Sequence, residues 1–193
     1  LAAALRDLYH NRPARIVFFS IVLLGTASGI YLSAFFLYVN SYMGYGDKIS
    51  YLWAIPAVAS ILVMPGWLYL CNRFDRHRVW SWAALAGSIL LPAVFFIEPG
   101  SSSFMPLVVL FSVLAVLGGA SSIAAPGIVG DVIDYHTLKT GENRAAQIQA
   151  LSTIILKMTM AVGTALGFYI LTFFDFDPTS KTQTEGASLG IKL

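Results

Sequence analysis

Five long stretches of this chain are nearly free of charge, and each is long enough to cross a bilayer. They are Ile16–Val39, Tyr51–Cys71, Val79–Ile97, Phe104–Gly130 and Ala145–Phe174. A spanning helix needs about 20 mainly apolar residues. Lipid offers no partner to backbone N–H and C=O groups, so only helices and closed barrels can occupy it. The runs are continuous rather than alternating every second residue, which argues against a barrel. The expected fold class is therefore an all-α membrane protein with five spans.

Composition agrees. Charged residues make up 11% of the chain and hydrophobic ones 57%. A soluble domain carries about 25% charged residues. A net charge of +2 is too small for nucleic-acid binding, and none is expected. The single cysteine, Cys71, cannot form a disulfide within the chain. Leu1–Pro13 is mixed and basic, without the apolar core of a signal peptide. The chain does not start with Met and stops in a small-residue apolar stretch, 187–193, so both ends are expected to be cut.

Basic residues alternate from one side to the other. Arg6, Arg12 and Arg15 precede the first span, Arg73, Arg76 and Arg78 follow the second, and Lys139 and Arg144 follow the fourth. The opposite side holds Lys48, Lys181 and Lys192. The richer side should be cytoplasmic, which puts the start of the chain inside. The expected location is multi-pass, in a bacterial inner membrane or a plasma membrane. Trp80, Trp82, Phe173, Phe174 and Phe176 suit interfacial belts.

Lys157 breaks the pattern. It lies near the middle of the fifth run. A central lysine costs roughly 2.5–3.5 kcal/mol on insertion scales, so it faces a bundle interior or a water-filled path. Residues four apart share a helix face. Gln149, Thr153, Lys157 and Thr164 are thus expected to form one polar stripe. Amide, hydroxyl and ammonium groups can bind substrate hydroxyls or face carboxylates. Two GxxxG patterns, Gly25–Gly29 and Gly163–Gly167, predict close helix packing. Gly118-Gly119 and Pro126-Gly127 predict a kinked or unwound fourth span. Trp53, Tyr31 and Tyr38 are candidates for stacking on a ring. No metal cluster accompanies the loop histidines His10, His77 and His136, and no convergent catalytic groups are present, so an enzyme is not expected.

Two loops resemble known signatures. Gly66, Asp75 and Arg76, with Arg78, resemble the loop between the second and third helices of each half of the major facilitator superfamily. The usual glycine after the aspartate is missing. Gly130-Asp131-Val-Ile-Asp134-Tyr135, then Thr140-Gly141 and Arg144, resembles the loop between helices ten and eleven of the glycoside-pentoside-hexuronide:cation symporters, the melibiose permease-like family. The acid–glycine pair that often follows the arginine is replaced by Ala145-Ala146. Lys157 and Thr153 fall on a lysine and a threonine of that family's helix eleven.

The resemblance covers essentially the whole chain. It implies a major facilitator helical bundle, with these spans as helices seven to eleven of twelve and the start of a truncated twelfth near 187–193. It implies cation-coupled symport of a sugar, glycoside or hexuronide by alternating access, with lysolipid or other amphiphile cargo and a non-transporting remnant as alternatives. The coupling Na⁺ or H⁺ would bind mainly in a missing N-terminal six-helix half, because no carboxylate lies inside a span here. No cofactor is implied. Lys157, Thr153, Gln149 and Thr164 would serve substrate or coupling, and Asp131, Asp134, Tyr135 and Arg144 a cytoplasmic gate. The sugar-stacking tryptophan of the melibiose permease aligns with Ser122, so no galactoside specificity carries over.

Overall fold

The computed structural model describes residues 11–100 and 102–174. Arg6, Lys181, Lys192, Phe176 and the start of a twelfth helix lie outside the described residues. All regular secondary structure among the described residues is helical, with no strand. Helix α1, Arg12–Leu37, continues into a π-helical turn, Tyr38–Tyr42. A short 3-10 turn, Gly46–Lys48, leads into α2, Ile49–Arg73. Helix α3, Arg76–Leu90, tightens into a 3-10 turn at Leu91–Phe96. Helices α4, Phe104–Thr140, and α5, Ala145–Phe173, complete the set. These make five helical stretches of 21 to 37 residues, long and apolar enough to cross a membrane.

Local chemistry sets the boundaries. Asn11 precedes α1, its carbonyl accepting from Arg15 N at 3.1 Å, and Pro13 sits in the first turn, where a missing N–H costs nothing. Asp75 is extended and caps α3 through its carbonyl, which accepts from Arg78 N and Val79 N. Gly141 ends α4 at φ +72°, with its N–H donated to the Thr137 carbonyl at 2.8 Å. Glycine is at home in that left-handed conformation. The Asn143 side chain then accepts from Ala145 N at 3.1 Å and starts α5.

Three sequence expectations change. Residues 130–140 form a continuation of α4 rather than a loop. At 1.5 Å per residue the helix reaches about 55 Å, well past the hydrocarbon core, so its charged end can stay helical in water. His136 is accordingly a helical and buried residue, 2% exposed. Gly118-Gly119 and Pro126-Gly127 do not unwind α4, which is assigned as helix throughout. Gly66 lies inside α2 rather than in a loop.

The helices divide into two compact units. The first takes Pro126–Ile170 with the chain up to Ser33. Its core joins Ala14 and Ile21 of α1, Val129 and Val132 of α4, and Ile148 of α5. Here the two GxxxG patterns meet. A Cβ added to Gly29 would overlap the Met160 carbonyl and Thr164 N, and one on Gly163 would overlap the Thr26 carbonyl. One on Gly25 would meet Thr159, and one on Gly167 would meet Ser33. The contacts rise together along both helices, so α1 and α5 run parallel, backbone against backbone.

The second unit, Ala34–Ala125 with the chain from Leu171, has its main core around Phe35, Tyr38, Leu52, Leu107 and Phe111. A smaller cluster holds Cys71, Val79 and Ala124, with Trp67 and Trp80 against it. The Trp67 indole N–H donates to the Val116 carbonyl at 2.7 Å, and that of Trp80 to Ser121 Oγ at 2.8 Å. Trp80 thus faces protein, not only the interface.

Candidate substrate and coupling site

The first unit carries the polar stripe. Twelve residues of α5 precede Lys157 and sixteen follow it, so it sits near mid-span. Its side chain is exposed, with no hydrogen bond or ion pair among the described residues. Gln149 and Thr153 are exposed as well. Thr153 Oγ1 donates to the Gln149 carbonyl at 3.0 Å, one turn back. The hydroxyl keeps its lone pairs for an outside donor.

Thr164 departs from the other three. It is half-buried, and its Oγ1 donates to the Met160 carbonyl at 3.0 Å and lies 3.4 Å from the Gly29 carbonyl. The cause is the glycine seam, which brings α1 against this level of α5. Gln149, Thr153 and Lys157 therefore share an open face, while Thr164 borders the helix contact.

An exposed ammonium at this depth has a physical consequence. Hydrocarbon would have to desolvate it without a partner. Residues beyond those described, a bound solute or a water-filled path must therefore cover this face.

The residues expected at the gate lie on the last turns of α4 and at the turn into α5. Asp131, Asp134 and Tyr135 are exposed on the last turns of α4. Arg144 pairs with Glu142, with Nη2 2.5 Å and Nε 2.8 Å from the same carboxylate oxygen. Glu142 is absent from the residues the sequence singles out, although an acid two residues from an arginine across a turn is the signal that points to it. Asp75 Oδ2 pairs with Arg78 Nε at 3.1 Å, so its carboxylate serves an ion pair rather than the helix N–H groups.

The aromatic candidates separate. Tyr38 is a core residue, 3% exposed and stacked on Tyr42. Trp53 is half exposed and meets the Phe35 ring edge-on, with centroids 4.9 Å apart. Tyr31 is 40% exposed. A groove of about 570 Å³ in the second unit is lined by Leu90, Ile97, Met105, Val109 and Val113 among others, all apolar, and contains none of the predicted site residues.

The family profile described as MFS/sugar transport protein matches residues 1–193. The chain belongs to this family. It is an integral, multi-pass membrane protein. It is 23% identical over 187 residues to a protein of Bacillus subtilis (strain 168) named an uncharacterized symporter, covering 95% of this chain and 39% of that relative. The chain thus spans about two fifths of the length of the curated relative it matches. No solved structure matches it.

Proposed function

We propose that the chain is part of a secondary active transporter that couples Na⁺ or H⁺ to uptake of a sugar, glycoside or hexuronide. One observation carries the reading: Lys157 presents an ammonium at mid-span on an open face beside Gln149 and Thr153. Membership of a sugar-transport family and likeness to a protein named as a symporter support it.

In this reading a further helical half covers the α5 face and supplies a carboxylate. The cation and Lys157 compete for that carboxylate, so a bound cation frees the lysine and the binding state of one site biases the other. Gln149 and Thr153 offer hydrogen bonds to sugar hydroxyls. Asp131, Asp134, Tyr135 and Arg144 lie on the cytoplasmic side and make contacts that close it in one state of the alternating cycle. The protein carries its substrate unchanged and is not an enzyme.

The test is uptake by membrane vesicles containing the whole transporter, with a panel of labelled sugars under imposed Na⁺ or H⁺ gradients. Accumulation of one sugar only when a cation gradient is applied supports symport. Gradient-independent equilibration across the panel rejects coupling, and uptake of lysolipids but no sugar moves the cargo to an amphiphile.

A further inference from the structure

Two buried polar atoms of the first unit have no hydrogen-bond partner in the protein: Asn11 Nδ2 and His136 Nε2. Both residues are 2% exposed. Buried polar atoms in folded proteins are bonded to protein or to ordered water in the great majority of cases, because a dry one forfeits the bonds it makes in solvent. The hydroxyls on the neighbouring turns are committed to their own helices. Thr137 donates to the Ile133 carbonyl, Thr140 to the His136 carbonyl and Ser152 to the Ile148 carbonyl.

The fold brings the two residues to one level. The turn at Gly141 sends α4 back into α5, so α4 runs antiparallel to α5 and to its parallel neighbour α1. The start of α1 and the end of α4 therefore share one end of the unit. Ala14 of α1 and Val132 of α4 lie in one buried cluster with Ile148 of α5. Asn11 stands three residues before Ala14, and His136 four after Val132. Each is about one turn further out along the same packed face. Asn11 Oδ1 lies 3.5 Å from Ala14 N, so the other end of its amide, Nδ2, is turned away from its own helix start.

We infer that a bound water bridges Asn11 Nδ2 and His136 Nε2 and ties the start of α1 to the end of α4. The amide is a donor. The Nε2 of an imidazole accepts in one tautomer and donates in the other. Water accepts from the amide and serves either form of the ring. The two protein atoms do not bond each other, so a link between them needs a third group. Internal waters fill this role, each making about three hydrogen bonds to otherwise unpaired atoms. The inference rests on burial and helix register and is independent of the transport reading.

Hydroxyl radicals raised by a short X-ray pulse modify side chains that touch bound water, buried ones included. In the protein in detergent, His136 should be modified as fast as the exposed His77, while Phe111, buried in the apolar core of the second unit, stays protected. A double-mutant cycle of Asn11→Ala and His136→Leu should show a coupling of roughly fivefold in the unfolding constant, the worth of one hydrogen bond. The cycle cancels the helix cap that Asn11→Ala also removes. Protection of His136 overturns the water, and coupling alongside protection means a direct Asn11–His136 bond instead. Modification without coupling means that water meets His136 without bridging, and overturns the site equally. A melting temperature that rises with chloride at constant ionic strength assigns the position to an anion and rejects the water. Should the double variant fail to fold, the footprint of Asn11→Ala alone decides: His136 modification must fall, and an unchanged rate rejects the bridge.

Discussion

Gly29 and Gly163 sit where the backbones of α1 and α5 touch: a Cβ on Gly29 would fall 2.9 Å from the carbonyl carbon of Gly163. In lipid, helix association rests on such packing, because the tails are as apolar as the side chains. The seam fixes α1 beside the stripe of α5 and determines that Thr164 borders a helix contact while Lys157 stays open.

Gly29→Ala should therefore destabilise the protein by about 1–3 kcal/mol, the cost of overpacking a tight contact. Gly118→Ala is the control, because a Cβ there meets nothing within 4 Å. Thermal unfolding in detergent compares them. Equal melting temperatures for the two variants would contradict the seam.

The hairpin between α4 and α5 offers a second test. Gly141 holds φ +72°, and a left-handed conformation costs a residue with a Cβ about 1–2 kcal/mol. Gly141→Ala should lower stability by that amount in the same melting assay. Gly141→Asn should lose less, since asparagine tolerates this region. Asn143→Ala should cost roughly 0.5–2 kcal/mol by removing the acceptor for Ala145 N.

Span positions are legible in the sequence because lipid imposes a single rule on every residue of a run, and Leu52, Leu107 and Ile148 sit in runs too apolar to be anything else. The end of α4 is not. Asp131, Asp134 and Lys139 lower its hydropathy to that of a loop, yet a helix end in water can carry charge. The seam is legible in glycine spacing. Which face of α5 it covers is not, since the positions of Thr164 and Lys157 differ by seven residues and share a face on an ideal helix. Only the approach of α1 separates them. The Glu142–Arg144 pair is hidden for another reason: it depends on the turn at Gly141, which brings the acid to the arginine.

The two indole bonds beside Gly118-Gly119 make a third test. Trp80→Phe removes a donor to Ser121 Oγ, and Ser121→Ala removes the acceptor. A double-mutant cycle should give a coupling of about 0.6 kcal/mol, the average for such bonds inside membranes. A coupling indistinguishable from zero would mean that the pair does not form.

The Glu142–Arg144 pair is open to water on the acid side, with Glu142 61% exposed. Exposed pairs contribute about 0–1 kcal/mol. Glu142→Gln should thus leave the melting temperature nearly unchanged. In the transport reading, charge reversal at Asp134 should lower uptake more than protein level; equal losses in both would assign Asp134 to folding.

The proposal that Lys157 serves transport stands or falls on one comparison. Gradient-driven uptake is measured for the whole transporter carrying Lys157→Ala, with membrane protein level and melting temperature recorded in the same preparations. Most accumulation should be lost at normal protein level, with Lys157→Arg retaining part of it. Full accumulation by Lys157→Ala would refute the transport role and leave the ammonium as a structural charge.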